Sequence, residues 1–222
     1  MKKFTGILGA ALALSLTLTA CGGGDAAPEA TKAPEAAPTQ APAVEATKAP
    51  EAAPEAATPA APGEFDGKLH GPYLVTTCGQ SPGAVMINMV AMQNGLQSTS
   101  ENVLNADYDF SGINTLIVTT GTSMKGMGSA GTDVNVEIER NTATIKAAKE
   151  AGLTIVGAHV EGMARRADNA DQQSIDAVLA LSDIVVCTED SDSDGFFTNY
   201  ANEHGLPLIK VKDSLALADV ME

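Results

Sequence analysis

Beyond residue 70 the chain alternates short apolar runs with segments of helical spacing, and this alternation limits its fold more than any other feature. The runs are 73–78 (YLVTTC), a weaker 98–104, 114–120 (NTLIVTT), 153–159 (LTIVGAH), 183–187 (DIVVC) and 206–211 (LPLIKV). Most are rich in β-branched residues and show no apolar/polar alternation, as strands covered on both faces do. Between them, 84–94 reads as a buried helix closed by Gly95. In 133–151, Val134, Ile138, Asn141, Ile145 and Ala148 share one helical face, with Asp133 as cap and Gly152 as stop. Segments 172–181, 196–204 and 214–221 complete the series, with Ile175, Val178 and Leu179 turned inward in the first of these.

Strands alternating with helices imply a parallel sheet covered on both sides. The expected fold is therefore α/β, a three-layer flavodoxin-like or Rossmann-like domain with a mainly parallel sheet. The link 104–113 is near the minimum for a crossover, so an irregular connection is expected there. Strand order 2-1-3-4-5 would separate the strands carrying Cys78 and Cys187 by roughly 14 Å, given ~4.8 Å between neighbours. A disulfide needs Cα atoms within about 7 Å, so both thiols are expected to stay free.

The remainder of the chain has a different character. Met1-Lys2-Lys3 precedes an apolar run over 7–18 and the small residues before Cys21. This is the layout of a secretory signal, and the run is shorter than the roughly 20 residues that span a bilayer. Leu18-Thr19-Ala20-Cys21 resembles the lipobox of bacterial lipoproteins. That resemblance implies a signal peptide over 1–20, a diacylglyceryl group on Cys21 and an acylated amine (diacylglycerol and palmitate chemistry). It places the protein on the extracytoplasmic face of the cell membrane, with the lipid as its membrane partner. In a two-membrane host, Gly22 rather than Asp favours the outer membrane. Residues 21–63 are dominated by Ala, Pro, Glu and Thr, and EATKAPEAAP at 29–38 recurs at 45–54. Such a segment buries no core and is read as a disordered tether, reaching roughly 100 Å at ~3.1 Å per residue.

Residues 64–222 form the single domain, with 22 acidic and 9 basic residues. That balance argues against nucleic acid and against anionic lipid surfaces as partners of the domain. It permits cationic ligands without requiring them.

In an open α/β sheet, ligands bind at the carboxyl ends of the strands, which selects four loops. The first, 76–83, leads from a strand into a helix. Gly79, Gln80 and Ser81 there offer backbone approach and hydrogen bonds to an anion, or else Ser81 is merely an N-cap with Pro82 first in the helix. The second, 121–132, holds four glycines with Ser123 and Lys125, and reads as a ligand-binding or flexible loop. The third places His159, Glu161, Arg165 and Arg166 within a few residues, for anion contact or for pairing inside the loop. The fourth matches the first half of a calcium loop at Asp190, Asp192, Asp194 and Gly195, but Ala201 stands where the bidentate Glu belongs. Its other reading is an acidic helix start, so calcium is a minor expectation and no other cofactor is expected.

The CGQSP after the first strand, the MKGMGSAG glycines after the third and HVEGMARR at 159–166 resemble an uncharacterised family of bacterial lipoprotein domains, over nearly all of 70–212. The resemblance implies the fold and supplies no catalytic residue. The leading functional expectation is a tethered module binding a small polar or anionic molecule at the sheet's carboxyl edge. The alternatives are a hydrolase or transferase using Cys78 or Ser81 with His159, and a protein-interaction or assembly module. No Gly-x-Ser-x-Gly elbow and no zinc spacing are present.

Overall fold

The computed structural model describes residues 65–222. Cys21 and the tether lie outside the described residues. The elements run β1 (Tyr73–Thr77), α1 (Gly83–Gln93), β2 (Ser98–Ser100), β3 (Thr115–Thr119), α2 (Met124–Ala130) and α3 (Val134–Glu150). They continue with β4 (Thr154–His159), α4 (Asn169–Leu179), β5 (Ile184–Thr188), α5 (Phe196–His204) and β6 (Leu208–Val211). Two 3-10 turns, Met163–Arg165 and Ser214–Asp219, follow β4 and β6.

The six strands form one parallel sheet in the order β2-β1-β3-β4-β5-β6. This is the expected α/β architecture, with β6 added at the far edge. β1, β3 and β5 are buried at every position, as their uniformly apolar or β-branched sequences require. One face carries α1 and the turn Ser214–Asp219 over Val75, Ile117, Val156, Val186 and Ile209. The other carries α3, α4 and α5, with Leu74, Leu116 and Ile155 in one cluster and Val185 and Phe197 in another. Each such side chain contributes about 1.5–3 kcal/mol on burial. The link between β2 and β3 is irregular as expected, and it inserts Leu104 and Phe110 under the second face.

Two local readings are corrected. Segment 98–104 pairs only over Ser98–Ser100, because its polar residues leave it as a short edge strand. Segment 121–132 is not an extended loop: Ser123 accepts from the Gly126 amide and starts α2, and Gly131, left-handed at φ 68, ends it. Segment 214–221 is helical as expected, wound as a 3-10 turn over Ser214–Asp219. Cys78 and Cys187 are both free and buried, at the end of β1 and in β5, with β3 and β4 lying between them, as expected from the strand order.

Candidate functional site

The four loops do meet along the carboxyl edge of the sheet, but their hydrogen-bonding groups largely face one another. The first loop is pinned to the second: Cys78 donates its amide to Thr119, and Ser123 donates its amide to the Gly79 carbonyl at 2.8 Å. Gly79 sits at φ 127, and a Cβ there would lie 2.7 Å from the Gly121 carbonyl oxygen, so only glycine fits. The same holds for Gly126 of α2, where a Cβ would run into the Gln80 carbonyl oxygen.

The donors expected to receive an anion already hold the protein's own carboxylates. Gly79 donates its amide to Glu137 at 3.2 Å, and the Gln80 side chain donates to both Glu137 oxygens at 3.1 Å. Glu137 is also paired with Arg140 at 2.7 Å. At the start of α1, the Gly83 amide donates to Glu161 at 2.8 Å. Ser81 does not cap this helix: its amide donates to the Thr77 hydroxyl, and Pro82 occupies the cap position without a side-chain bond. Thr122 donates both its amide and its hydroxyl to Asp171, each at 2.7 Å. Burial raises the Asp171 pKa, but the Thr122, Ala167 and Asp168 hydrogen bonds outweigh it and hold the carboxyl below its usual value.

The third loop is equally self-contained. Arg165 donates to Glu161 at 3.1 Å and to the Thr122 carbonyl at 2.7 Å. Arg166 pairs with Asp194 at 2.8 Å and lies 4.4 Å above the Phe196 ring. Both arginines therefore adopt the internal pairing. His159 is 1% exposed, with Nδ1 2.9 Å from the Thr120 hydroxyl and Nε2 3.2 Å from the Gly162 carbonyl. A carbonyl only accepts, so Nε2 carries the proton and Nδ1 accepts from Thr120. Burial, helped by nearby Arg166, pushes the His159 pKa down to about 4, against the opposing Gly162 contact.

Both ring nitrogens are thus spent. Among the described residues no hydrogen bond joins His159 to Cys78 or Ser81. Cys78 is fully buried and its thiol is pushed up to about 12, chiefly by desolvation. A reactive thiolate needs the opposite environment.

The acidic loop is dispersed. Asp192 is buried and accepts from the Phe197 and Thr198 amides, the Thr198 hydroxyl and Lys210. Desolvation raises its pKa, yet the Lys210 and Thr198 hydrogen bonds prevail and lower it. Asp194 faces Arg166, and Asp190 accepts from the Met163 amide at 3.2 Å. The three carboxylates face three different partners. Among the described residues no group of three or more His, Cys, Asp or Glu side chains is placed to hold one metal ion. Lys125 stands exposed on α2.

One open cleft remains on this edge, of about 370 Å³, where β4, β5 and β6 end. Glu161, Asp190 and Asp213 line it with Lys212, Thr188 and Met86. Asp190 accepts from the Met163 amide through one oxygen, whereas Asp213 caps the last turn through the Leu215 and Ala216 amides.

Sequence reasoning missed Glu137, Arg140, Asp171 and Ser174, which organise the loops from the helices beneath them. The signal lay partly in α3: Asn141, Ile145 and Ala148 are buried as read from the sequence, and the polar Glu137 and Thr144 are buried beside them.

The family model described as Domain of unknown function (DUF6305) matches residues 70–222, so the chain belongs to that family. Comparison with curated proteins finds no match. No described helix is long and apolar enough to cross a membrane.

Proposed function

We propose that this member of the DUF6305 family is a lipid-anchored extracytoplasmic binding module whose domain takes a small polar ligand bearing a cationic group. The Leu18–Cys21 lipobox resemblance supports the anchor. The lining of the cleft supports the ligand class: Asp190 and Asp213 stand there against the single Lys212, while Arg165 and Arg166 are turned into pairs with Glu161 and Asp194. This shifts the ligand from anionic towards cationic relative to the sequence-based expectation.

Two measurements test the two halves. Metabolic labelling with palmitate should mark the chain and fail for Cys21→Ala; an unlabelled wild-type chain refutes the anchor. For the ligand, thermal unfolding of the chain is followed with polyamines, amino acids, quaternary amines, carboxylates and phosphates. A ligand at 100 times its Kd adds about 2.7 kcal/mol, which is about 5–10 °C for a domain of this size. The expected outcome is a shift with amine-bearing compounds that Asp190→Asn reduces. A shift with phosphates or carboxylates that Arg165→Ala abolishes refutes the cationic class.

A further inference from the structure

Three methionines of α1, Met86, Met89 and Met92, recur at every third residue on the sheet face that carries only α1 and the turn Ser214–Asp219. Methionine usually fills gaps in a core. Here Met89 is 53% exposed and Met92 59% exposed. Met86 and Met89 line a second cleft, of about 140 Å³, closed on its other side by Ser214 and Leu215. The Met92 sulfur is held one turn back, 3.6 Å from the Asn88 side-chain nitrogen. Residues three apart on a helix have Cβ atoms about 5–6 Å apart, and helical side chains lean towards the N-terminus. The thioethers therefore follow one another along the exposed surface of α1, with Met86 and Met89 opening onto that cleft and Met92 one step beyond it.

We propose that this row is a binding site for a soft monovalent cation of the Cu(I) or Ag(I) type. Thioethers are soft, uncharged donors that select such ions over the hard and borderline divalent ones. They need no deprotonation to bind, so the site works across the pH range, unlike cysteine or histidine ligands. The two described cysteines do not compete, because both are buried in the sheet. The domain's 22 acidic against 9 basic residues favour a cation's approach. Val85 and Leu215, 43% and 70% exposed, flank the row with apolar surface that keeps harder ligands away. The site adjoins the carboxyl-edge cleft at Met86 and Ser214 but uses none of its carboxylates, so it stands apart from the function proposed above.

The test is Ag(I), which is redox-inert, titrated into the full chain carrying ¹³C-methyl methionine and followed by NMR. The Met86 and Met89 methyl signals should shift together and saturate at one ion per chain. Met124, 73% exposed on α2, is the internal control and should not move in step. The M89L/M92L double variant keeps the apolar surface and removes the sulfurs, and it should bind Ag(I) at least tenfold more weakly with unchanged circular dichroism. A shift of Met124 in parallel, the absence of saturation, or undiminished binding by the double variant overturns the proposal. The last result would leave the row as an apolar contact surface alone.

Discussion

Removing the Glu137 carboxylate tests the idea that buried acids on the helices organise the carboxyl edge. Glu137 is 2% exposed and accepts from the Gly79 amide, the Gln80 side chain and Arg140. Deleting one partner of a buried ion pair costs about 3–5 kcal/mol, because the other charge stays buried. Arg140 would keep two acceptors, the Leu104 and Thr77 carbonyls at 2.7 and 2.9 Å. The expectation for Glu137→Ala is therefore at the low end, about 3 kcal/mol. With a urea slope of about 2 kcal/mol/M, the unfolding midpoint should fall by about 1.5 M. The Gly79 amide should also lose hydrogen-exchange protection beyond that global change, since its only side-chain acceptor is gone. Arg140→Ala and the double variant complete a cycle, and the two single effects should not add. A loss under 1 kcal/mol for Glu137→Ala, or strict additivity in the cycle, would refute the reasoning: the acid would then be a passenger of the loop.

Stability should fall with pH through His159: its folded pKa of about 4 lies below the unfolded 6.5, so below pH 6.5 the unfolded chain takes up a proton that the folded one refuses. About 3 kcal/mol is lost between pH 6.5 and 4, and His159→Asn should flatten that part of the urea-unfolding profile. Cys78 and Cys187, both pushed up to about 12 by burial, should resist iodoacetamide at pH 8 in the folded chain and react once urea unfolds it; rapid labelling of the native chain contradicts the burial. Asp192→Asn should cost about 1–3 kcal/mol, by weakening charge-assisted bonds to Lys210 and Thr198. Millimolar calcium should leave the wild-type melting temperature unchanged, and a calcium-dependent rise would show that Asp190, Asp192 and Asp194 rearrange around the ion.

The strands and long helices were legible because burial on both faces leaves β1, β3 and β5 no polar alternative, and because Asp133 and Gly152 punctuate α3. α2 was not, since Gly126 and Gly128 weigh against a helix by propensity. Gly126 is there for close approach to Gln80, a tertiary demand that no local pattern carries. The four loops do lie at the carboxyl edge, as the rule for parallel sheets places them, but their internal pairing was not readable. Whether Arg165 meets a ligand or Glu161 depends on where the α1 N-terminus lies, and that is fixed by packing 78 residues away in sequence. The same distance hid Glu137, whose 58-residue separation from Gly79 leaves only a polar residue on a helix to be seen.

The internal pairing changes what the edge can recognise. A phosphate at the start of α1 would have to displace Glu161 from Gly83 and Arg165, leaving a carboxylate 8% exposed without its partners. It would also approach Asp190 and Asp213 across the open cleft. At ~6 Å and an effective dielectric of ~20, each unit charge pair is worth about 3 kcal/mol before screening. With Glu161 neutralised by Arg165, Asp190 and Asp213 against Lys212 still make the sign of that sum unfavourable for an anion and favourable for a cation. A difference of 1.4 kcal/mol is tenfold in affinity, so even heavily screened charges separate the two classes. The glycine-lined loop supplies the anion-binding geometry common to such folds, and the chain's own carboxylates occupy it. The binding function proposed above therefore assigns recognition to the side chains at the ends of β5 and β6 rather than to the helix N-terminus.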